Sequence, residues 1–215
     1  MAVTPELLSS FPLFKSLPGK LLNQLAGQST LTKFARRGIV LNAGVREEHM
    51  CFLFEGRLQG VDFTIDGREV GLYFVEPGDF CGELGLFDEG NQPEYIIALT
   101  PVVVVNIPIE SIREVMLRDA SVVNMLGRKL AARVRQMTEQ RTLLGLPNVS
   151  QRVCCQLWSL VDDGAEGNGI PHKLPAISNP PTHQEIAIML NVSRETVTRV
   201  FQKLQNQQVV QRAGP

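Results

Sequence analysis

Three rhythms of apolar residues follow one another along the chain. Over residues 5–30, Phe11, Leu13, Phe14, Leu17, Leu21, Leu22 and Leu25 recur at helical spacing, and Pro12, Pro18 and Gly19 interrupt them. That pattern predicts short helices. Over residues 31–107 the apolar runs shorten and glycine-bearing turns separate them. Cys51-Phe52-Leu53-Phe54 precedes Glu55-Gly56, residues 61–65 precede Asp66-Gly67, residues 70–75 precede Glu76-Pro77-Gly78-Asp79, and Ile96-Ile97-Ala98-Leu99 precedes Thr100-Pro101. Gly56, Gly67 and Gly78 are evenly spaced, and Asp-Gly between apolar runs signals a tight hairpin, because the turn needs positive φ. Many short strands at this spacing predict an antiparallel sandwich or barrel.

Helical periodicity returns over residues 109–144. Asp119-Ala120-Ser121 supplies an N-cap within it, so a short helix followed by a long one is expected. On the long helix Val123, Leu130, Met137 and Leu144 lie seven apart, with Leu126 and Val134 between them and Arg141 interrupting. This heptad-like stripe suits pairing of two helices. The helix is longer than one small sheet needs, which favours a homodimer seam over packing on its own β domain. Gly145, Pro147 and Asn148 form a hinge, after which Val153, Leu157, Trp158 and Val161 fall on one helical face. A glycine-rich polar loop follows over residues 162–171, then a strand candidate over 172–178, and Asn179-Pro180-Pro181 stops it. The expected organisation is a sensor domain over 1–118, a dimerisation helix over 119–145 and a C-terminal domain over 146–215.

Composition narrows the classes. A hydrophobic fraction of 44% is ample for packed cores and excludes wholesale disorder. No run approaches the roughly 18 apolar residues of a membrane span, and the start lacks a basic segment leading into an apolar one, so a cytoplasmic protein without membrane contact is expected. The four cysteines, Cys51, Cys81, Cys154 and Cys155, form no Cys-x-x-Cys pair and are read as small buried hydrophobes. The formal net charge of −1 does not advertise nucleic-acid binding, so charge has to be read by segment.

The segment 182–204 changes that picture. Thr182-His183-Gln184-Glu185 fits a capping box, and Ile186, Met189 and Leu190 follow as a buried face. Asn191-Val192 makes a short turn, and Ser193 is a good N-cap for a second helix. At about 100° per residue, Val197, Val200, Phe201 and Leu204 cluster on one side of that helix. Arg194, Glu195, Thr198, Arg199 and Gln202 cover the other. Arginine can donate two hydrogen bonds to a guanine edge, and glutamate can accept from cytosine. From residue 191 onward Arg194, Arg199, Lys203 and Arg212 face the single acid Glu195, a local basic excess suited to phosphate. The plain alternative is a surface helix hairpin with solvated charges.

Residues Ser193-Arg194-Glu195-Thr196-Val197-Thr198-Arg199, preceded by Thr182-His183-Gln184-Glu185-Ile186-Ala187, resemble the recognition unit of the cyclic AMP receptor protein (CRP/FNR) family. Residues Pro77-Gly78-Asp79-Phe80-Cys81-Gly82-Glu83-Leu84-Gly85-Leu86-Phe87 resemble the family's β-roll signature. The resemblance covers nearly the whole chain in order. It implies an α+β fold: an N-terminal antiparallel β-roll of the cyclic-nucleotide-binding type, a long dimerisation helix and a C-terminal winged helix-turn-helix. The implied function is a homodimeric transcription regulator on double-stranded DNA with a palindromic operator. Arg194, Glu195 and Arg199 would read bases of a TGTGA-like half-site. His183, Gln184 and Ser193 would touch backbone phosphate, with Lys203 in reach of it and Thr198 and Gln202 on the same face. RNA polymerase is a further implied partner through residues 162–169, although their acidic, glycine-rich make-up points to no specific contact.

The chain also departs from the family. Gly82-Glu83-Leu84 keeps the glutamate that would accept from a ribose hydroxyl, but the phosphate-binding Arg-Ser or Arg-Thr pair aligns with Pro93-Glu94. Proline brings no side-chain donor and glutamate repels phosphate. Of the Thr-Ser pair near the adenine only Thr138 keeps a hydroxyl, beside Met137, while Arg133 could lend positive charge from the helix. Cyclic AMP is therefore expected to bind weakly or not at all, and another nucleotide, a small organic effector or no ligand stay open. No cysteine precedes Cys51, which argues against an N-terminal iron–sulfur cluster. His49, alone in the β segment beside Glu47-Glu48, reads as a surface turn residue rather than a haem ligand. The chain ends soon after Val209-Val210-Gln211-Arg212, so a short or curtailed wing is expected. Two other function classes fit the sequence less well. A cupin-type metalloenzyme needs clustered histidines that the β segment lacks, so no enzyme activity is expected. A nucleotide-binding module acting on a partner protein is opposed by the outward Arg194, Glu195 and Arg199.

Overall fold

The first helix starts where its caps dictate. The Thr4 side chain accepts from the Leu7 amide, Pro5 supplies a fixed φ at the first turn, and α1 runs Pro5–Ser9. A 3-10 turn at Pro12–Phe14 and α2 at Gly19–Gln28 follow, each opened by a proline, as the interrupted periodicity predicts. In this computed structural model residues 2–161 and 176–211 are described. The chain divides into two units, Met1–Val134 and Arg135–Pro215.

In the first unit eight strands make two four-stranded antiparallel sheets. They are β1 Thr30–Phe34, β2 Ile39–Leu41, β3 His49–Glu55, β4 Leu58–Phe63, β5 Glu69–Val75, β6 Phe80–Cys81, β7 Tyr95–Ala98 and β8 Val102–Pro108. One sheet has the order β1-β8-β3-β6 and the other β2-β7-β4-β5. Gly56, Gly67 and Gly78 all adopt positive φ, at 91°, 77° and 91°, so the evenly spaced glycines do mark the turns. Leu53, Leu58, Val75, Ile96, Ala98 and Val104 fill the space between strands. A second core forms where the N-terminal helices, α3 Ile109–Arg118 and the start of α4 Ala120–Leu144 cover a sheet face. Phe14 and Phe52 pack there in a tilted arrangement, with ring centroids 4.8 Å apart. Asp119 caps α4 as expected, its carboxylate accepting from the Ser121 amide at 2.8 Å.

Two expectations for this unit need correction. Leu126 does not belong to an exposed stripe. It is fully buried with Val122 in the unit's own core, whereas Val134 and Met137 are 63% and 57% exposed and Val123 is exposed too. Leu130 is half-buried. His49 is exposed as expected but begins β3 rather than sitting in a turn. Strands β1, β2 and β6 carry too few apolar residues in a row to stand out in the sequence.

The second unit contains the end of α4, then α5 Val149–Trp158, α6 His183–Leu190 and α7 Arg194–Asn206. Val153, Ile186, Ala187, Leu190, Val197, Val200 and Leu204 form its core, with Leu143 and Leu157 against it. Leu144 is half-buried. Asn148 caps α5 by accepting from the Ser150 amide at 2.8 Å. Trp158, expected on the inward face of α5, is 73% exposed. Cys154 and Cys155 are exposed, unlike the buried Cys51 and Cys81, because α5 buries one narrow stripe through Val153 and Gln156. The loop at 162–171 and Arg212 lie outside the described residues. So does most of the strand candidate at 172–178, and its described part, 176–178, is not a strand. Residues 207–211 form turns without strand structure.

Candidate nucleic-acid interface and effector pocket

The helix pair α6–α7 is built by local chemistry. Thr182 accepts from the Glu185 amide at 3.3 Å, and the Glu185 carboxylate accepts from the Thr182 amide at 2.9 Å, closing the capping box. Asn191 ends α6 in the left-handed region, with φ 51° and ψ 50°. Ser193 then caps α7 by accepting from the Thr196 amide at 3.2 Å. Two carbonyls at the end of α6 receive side-chain donors: Gln140 Nε2 bonds Met189 O at 2.6 Å and Arg152 Nη1 bonds Leu190 O at 3.4 Å. Neither residue stands out in the sequence, because nothing there pairs a glutamine with a carbonyl 49 positions away.

On α7, Val197, Val200 and Leu204 point inward. Ser193, Arg194, Glu195, Arg199, Gln202 and Lys203 are exposed, as is Gln184 on α6. Arg199 Nη2 donates to Thr196 Oγ1 at 3.3 Å, which steadies the guanidinium along the helix. The Glu195 carboxyl is held below its ordinary pKa by its own backbone amide, by the Ser193 hydroxyl and by the two neighbouring arginines, so it stays a pure acceptor. His183 and Thr198 are placed differently from the exposed set. His183 Nδ1 lies 2.9 Å from Thr198 Oγ1, and its ring sits 4.5 Å from that of Phe201. Thr198 Oγ1 donates to Arg194 O at 3.0 Å. Both half-buried side chains therefore tie α6 to α7.

The second candidate site lies in the β unit. Gly82 takes a φ of 81°, and a Cβ there would stand 3.1 Å from the His49 carbonyl. This close approach delivers Glu83, only 1% exposed, into the roll ahead of a 3-10 turn at Leu84–Leu86, whose first residue, Leu84, is half-buried. Glu83 Oε1 forms an ion pair with Arg133 Nη1 of α4. Arg133 Nη2 donates to Phe80 O at 2.5 Å, and the guanidinium lies 4.7 Å from the Tyr73 ring centroid and 5.9 Å from that of Phe80. One helical turn earlier Lys129 pairs with Asp79. The Tyr73 hydroxyl donates to the buried Glu94 carboxylate. Burial pushes the Glu94 carboxyl up, with Glu83 nearby adding to the rise and the Tyr73 hydrogen bond opposing it. Burial likewise raises the Tyr73 phenol far above its ordinary value. Thr138 belongs to the second unit and is exposed on α4, its carbonyl accepting from Thr142 Oγ1 at 3.0 Å.

These residues do not fit a cyclic nucleotide. By the family resemblance Glu83 would accept from a ribose hydroxyl and an arginine near residue 94 would hold the phosphate; here Glu83 is ion-paired to Arg133, and Glu94 is a buried carboxyl bonded to Tyr73. Arg133 brings added charge, as the sequence suggests, and nothing in the sequence pairs it with the Phe80 carbonyl or the Tyr73 ring. The signal available was Lys129 and Arg133 at i,i+4, two cations sharing one helical face. Among the described residues no cluster of three or more His, Cys, Asp or Glu could hold a metal ion. No described helix is long and apolar enough to cross a membrane.

Comparison with known proteins places the chain in a known family. Residues 31–119 match the cyclic nucleotide-binding domain model and residues 151–215 match the Crp-like helix-turn-helix domain model. The cAMP-activated global transcriptional regulator Vfr of Pseudomonas aeruginosa is 30% identical over 202 residues, covering 91% of this chain and 91% of that protein. The cAMP-activated global transcriptional regulator CRP of Pasteurella multocida is 28% identical over 190 residues, covering 85% and 86%. Among solved structures, the c-di-GMP responsive global regulator CLP of Xanthomonas campestris superposes with a TM-score of 0.70 at 22% identity, over 92% of this chain and 96% of that one. FixK2 of Bradyrhizobium japonicum superposes with a TM-score of 0.71 at 19% identity, over 87% and 89%. At these identities the structural likeness speaks for the fold.

Proposed function

The chain belongs to the CRP/FNR family of transcription regulators, with a C-terminal helix-turn-helix DNA-binding domain and an N-terminal effector-binding domain, and we propose that it acts as a homodimer reading a two-fold operator through α7. The observation that carries this reading is the division of α7 into two faces. Val197, Val200 and Leu204 seat the helix, while Arg194, Glu195 and Arg199 stand in solvent near its N-terminus. That end of the recognition helix meets base edges in the major groove in this motif. Lys203, Ser193 and Gln184 supply backbone contacts, and Gln202 shares the reading face. His183 and Thr198 act by holding α6 and α7 together, which sets the angle at which α7 is presented. The exposed Val134 and Met137, with Val123, support a helix-to-helix seam between two copies.

The first unit is the sensor. Although the relatives above are named as cAMP-activated, we propose that cyclic AMP is not the effector here, because Glu94 stands where the phosphate would need a cation. RNA polymerase is a proposed further partner, the cytoplasm the proposed location, and no enzymatic activity is assigned.

Fluorescence anisotropy on a palindromic duplex with TGTGA-type half-sites tests the reading. Arg199→Ala is expected to cost about 1–3 kcal/mol and to relax preference at one base pair, whereas Lys203→Ala lowers the salt slope by about one and leaves preference intact. Binding that is insensitive to salt and equal for Arg194→Ala, Glu195→Ala, Arg199→Ala and the wild type would exclude α7 as the reader. Calorimetric titration showing cyclic AMP binding at micromolar or tighter affinity would overturn the effector reading.

A further inference from the structure

The pocket in the roll has the wrong polarity for an anion and the right one for a planar cation. Its donors are already committed: Arg133 to Glu83 and Phe80 O, Lys129 to Asp79, and the Tyr73 hydroxyl to Glu94. Acceptor capacity, by contrast, is in surplus. Glu83 Oε2 is buried with no hydrogen-bond partner, and Glu94 brings a second buried carboxyl. The walls supply two π faces, Tyr73 and Phe80, on either account within reach of a guanidinium. A carboxylate edge, a backbone carbonyl and aromatic faces are the elements that recognise a guanidinium, whose planar fork donates in its own plane and stacks on its faces.

We infer that this pocket is a guanidinium receptor and that Arg133 of the same chain is its resident ligand. The inference rests on the first unit being the family's sensor and not on the operator proposed for α7. Arg133 approaches from the helix that leads out of the unit, so occupation of the pocket and the seating of α4 on the roll are one event. An anionic effector has to displace Glu83 from Arg133 and leave a buried carboxylate without its cation, which opposes binding. A tethered cation has no such penalty and is present at all times.

Chemical rescue on the full chain tests this. Arg133→Ala is expected to melt below the wild type by far-UV circular dichroism. Ethylguanidinium at about ten times its dissociation constant should raise that melting point by about 3–5 °C over ethylammonium at equal ionic strength. The double variant Glu83→Gln/Arg133→Ala should show no such rise, and neither should the wild type, whose pocket is filled. Absence of an ethylguanidinium-specific rise in Arg133→Ala, or the same rise in the double variant, overturns the proposal, as does stabilisation of the wild type by cyclic AMP. Should Arg133→Ala not fold, Arg133→Lys carries the test. It keeps the charge without the fork and is expected to melt below the wild type, and an unchanged melting point overturns the proposal. None of these readings uses DNA, so a wild type that fails to bind the operator would sink the reading of α7 and leave this one standing.

Discussion

Leu126 separates two roles that α4 could combine. It is fully buried and packs with Val122, Ile112 and Phe14 in the core of the first unit. Leu126→Ala removes three buried carbons, worth about 2.4 kcal/mol at about 0.8 kcal/mol each. The cavity left behind raises the cost to about 3–4 kcal/mol, inside the range for buried leucines. At about 3 °C per kcal/mol for a chain of this size, the melting point should fall by about 10 °C. Urea unfolding followed by circular dichroism, at two protein concentrations tenfold apart, checks the assignment. The deficit of Leu126→Ala relative to the wild type should be the same at both, because the lost contacts lie within one chain. Val134→Asp should behave oppositely: its side chain is 63% exposed, so the isolated fold is kept and the loss appears as weakened association. Its deficit should therefore grow with concentration, by up to about 1.4 kcal/mol per decade. A Leu126→Ala deficit that changes with concentration as that of Val134→Asp does would make Leu126 a seam residue and refute the packing argument.

Other perturbations probe the two sites. Burial raises the Glu94 carboxyl in the folded chain, so the folded state binds that proton more tightly than the unfolded state does. Stability contributed this way is present at low pH and declines as pH rises from the ordinary carboxylate range through the raised folded value. Glu94→Gln should flatten that decline in a series of melting curves, and an unchanged slope would count against it. Ser193→Ala removes the α7 cap and should cost about 1 kcal/mol in urea unfolding, with operator binding weakened evenly across sequences. Gly82→Ala forces a side chain into a φ of 81° against the His49 carbonyl and should cost about 1–3 kcal/mol, lowering the thermal midpoint.

How legible each part was depends on the range of the contacts that make it. The helix-turn-helix is specified within about twenty residues: Thr182 and Glu185 cap one helix, Asn191 turns the chain, and Ser193 starts the next. All four signals are side chains acting on backbone a few positions away, and each sits where the sequence places it. The hairpin glycines are local in the same sense. The effector pocket is not. Glu83 and Arg133 are 50 positions apart and Tyr73 and Glu94 are 21 apart, joined only after the roll has closed. The heptad-like stripe failed in part for a related reason. Periodicity finds the apolar face of a helix but not the neighbour that covers it, and on α4 the N-terminal turns face the unit's own core. Trp158, Cys154 and Cys155 are exposed against expectation because apolar character does not guarantee burial.

That difference in range bears on how the regulator can be controlled. The proposed reading surface of α7 forms from its own caps and the core of its own unit. Under the proposed function, control would act on where α7 is held and not on what it presents. Within the first unit Lys129 and Arg133 of α4 pair with the roll, and within the second Gln140 bonds an α6 carbonyl. A diffusible effector seated between roll and helix would leave when its concentration fell. Here the bridge is a side chain of the helix itself, so its occupancy is set by the free energy of one ion pair and not by mass action. A sensor built this way responds to whatever breaks the Glu83–Arg133 pair, and its default state is the one with the pocket filled.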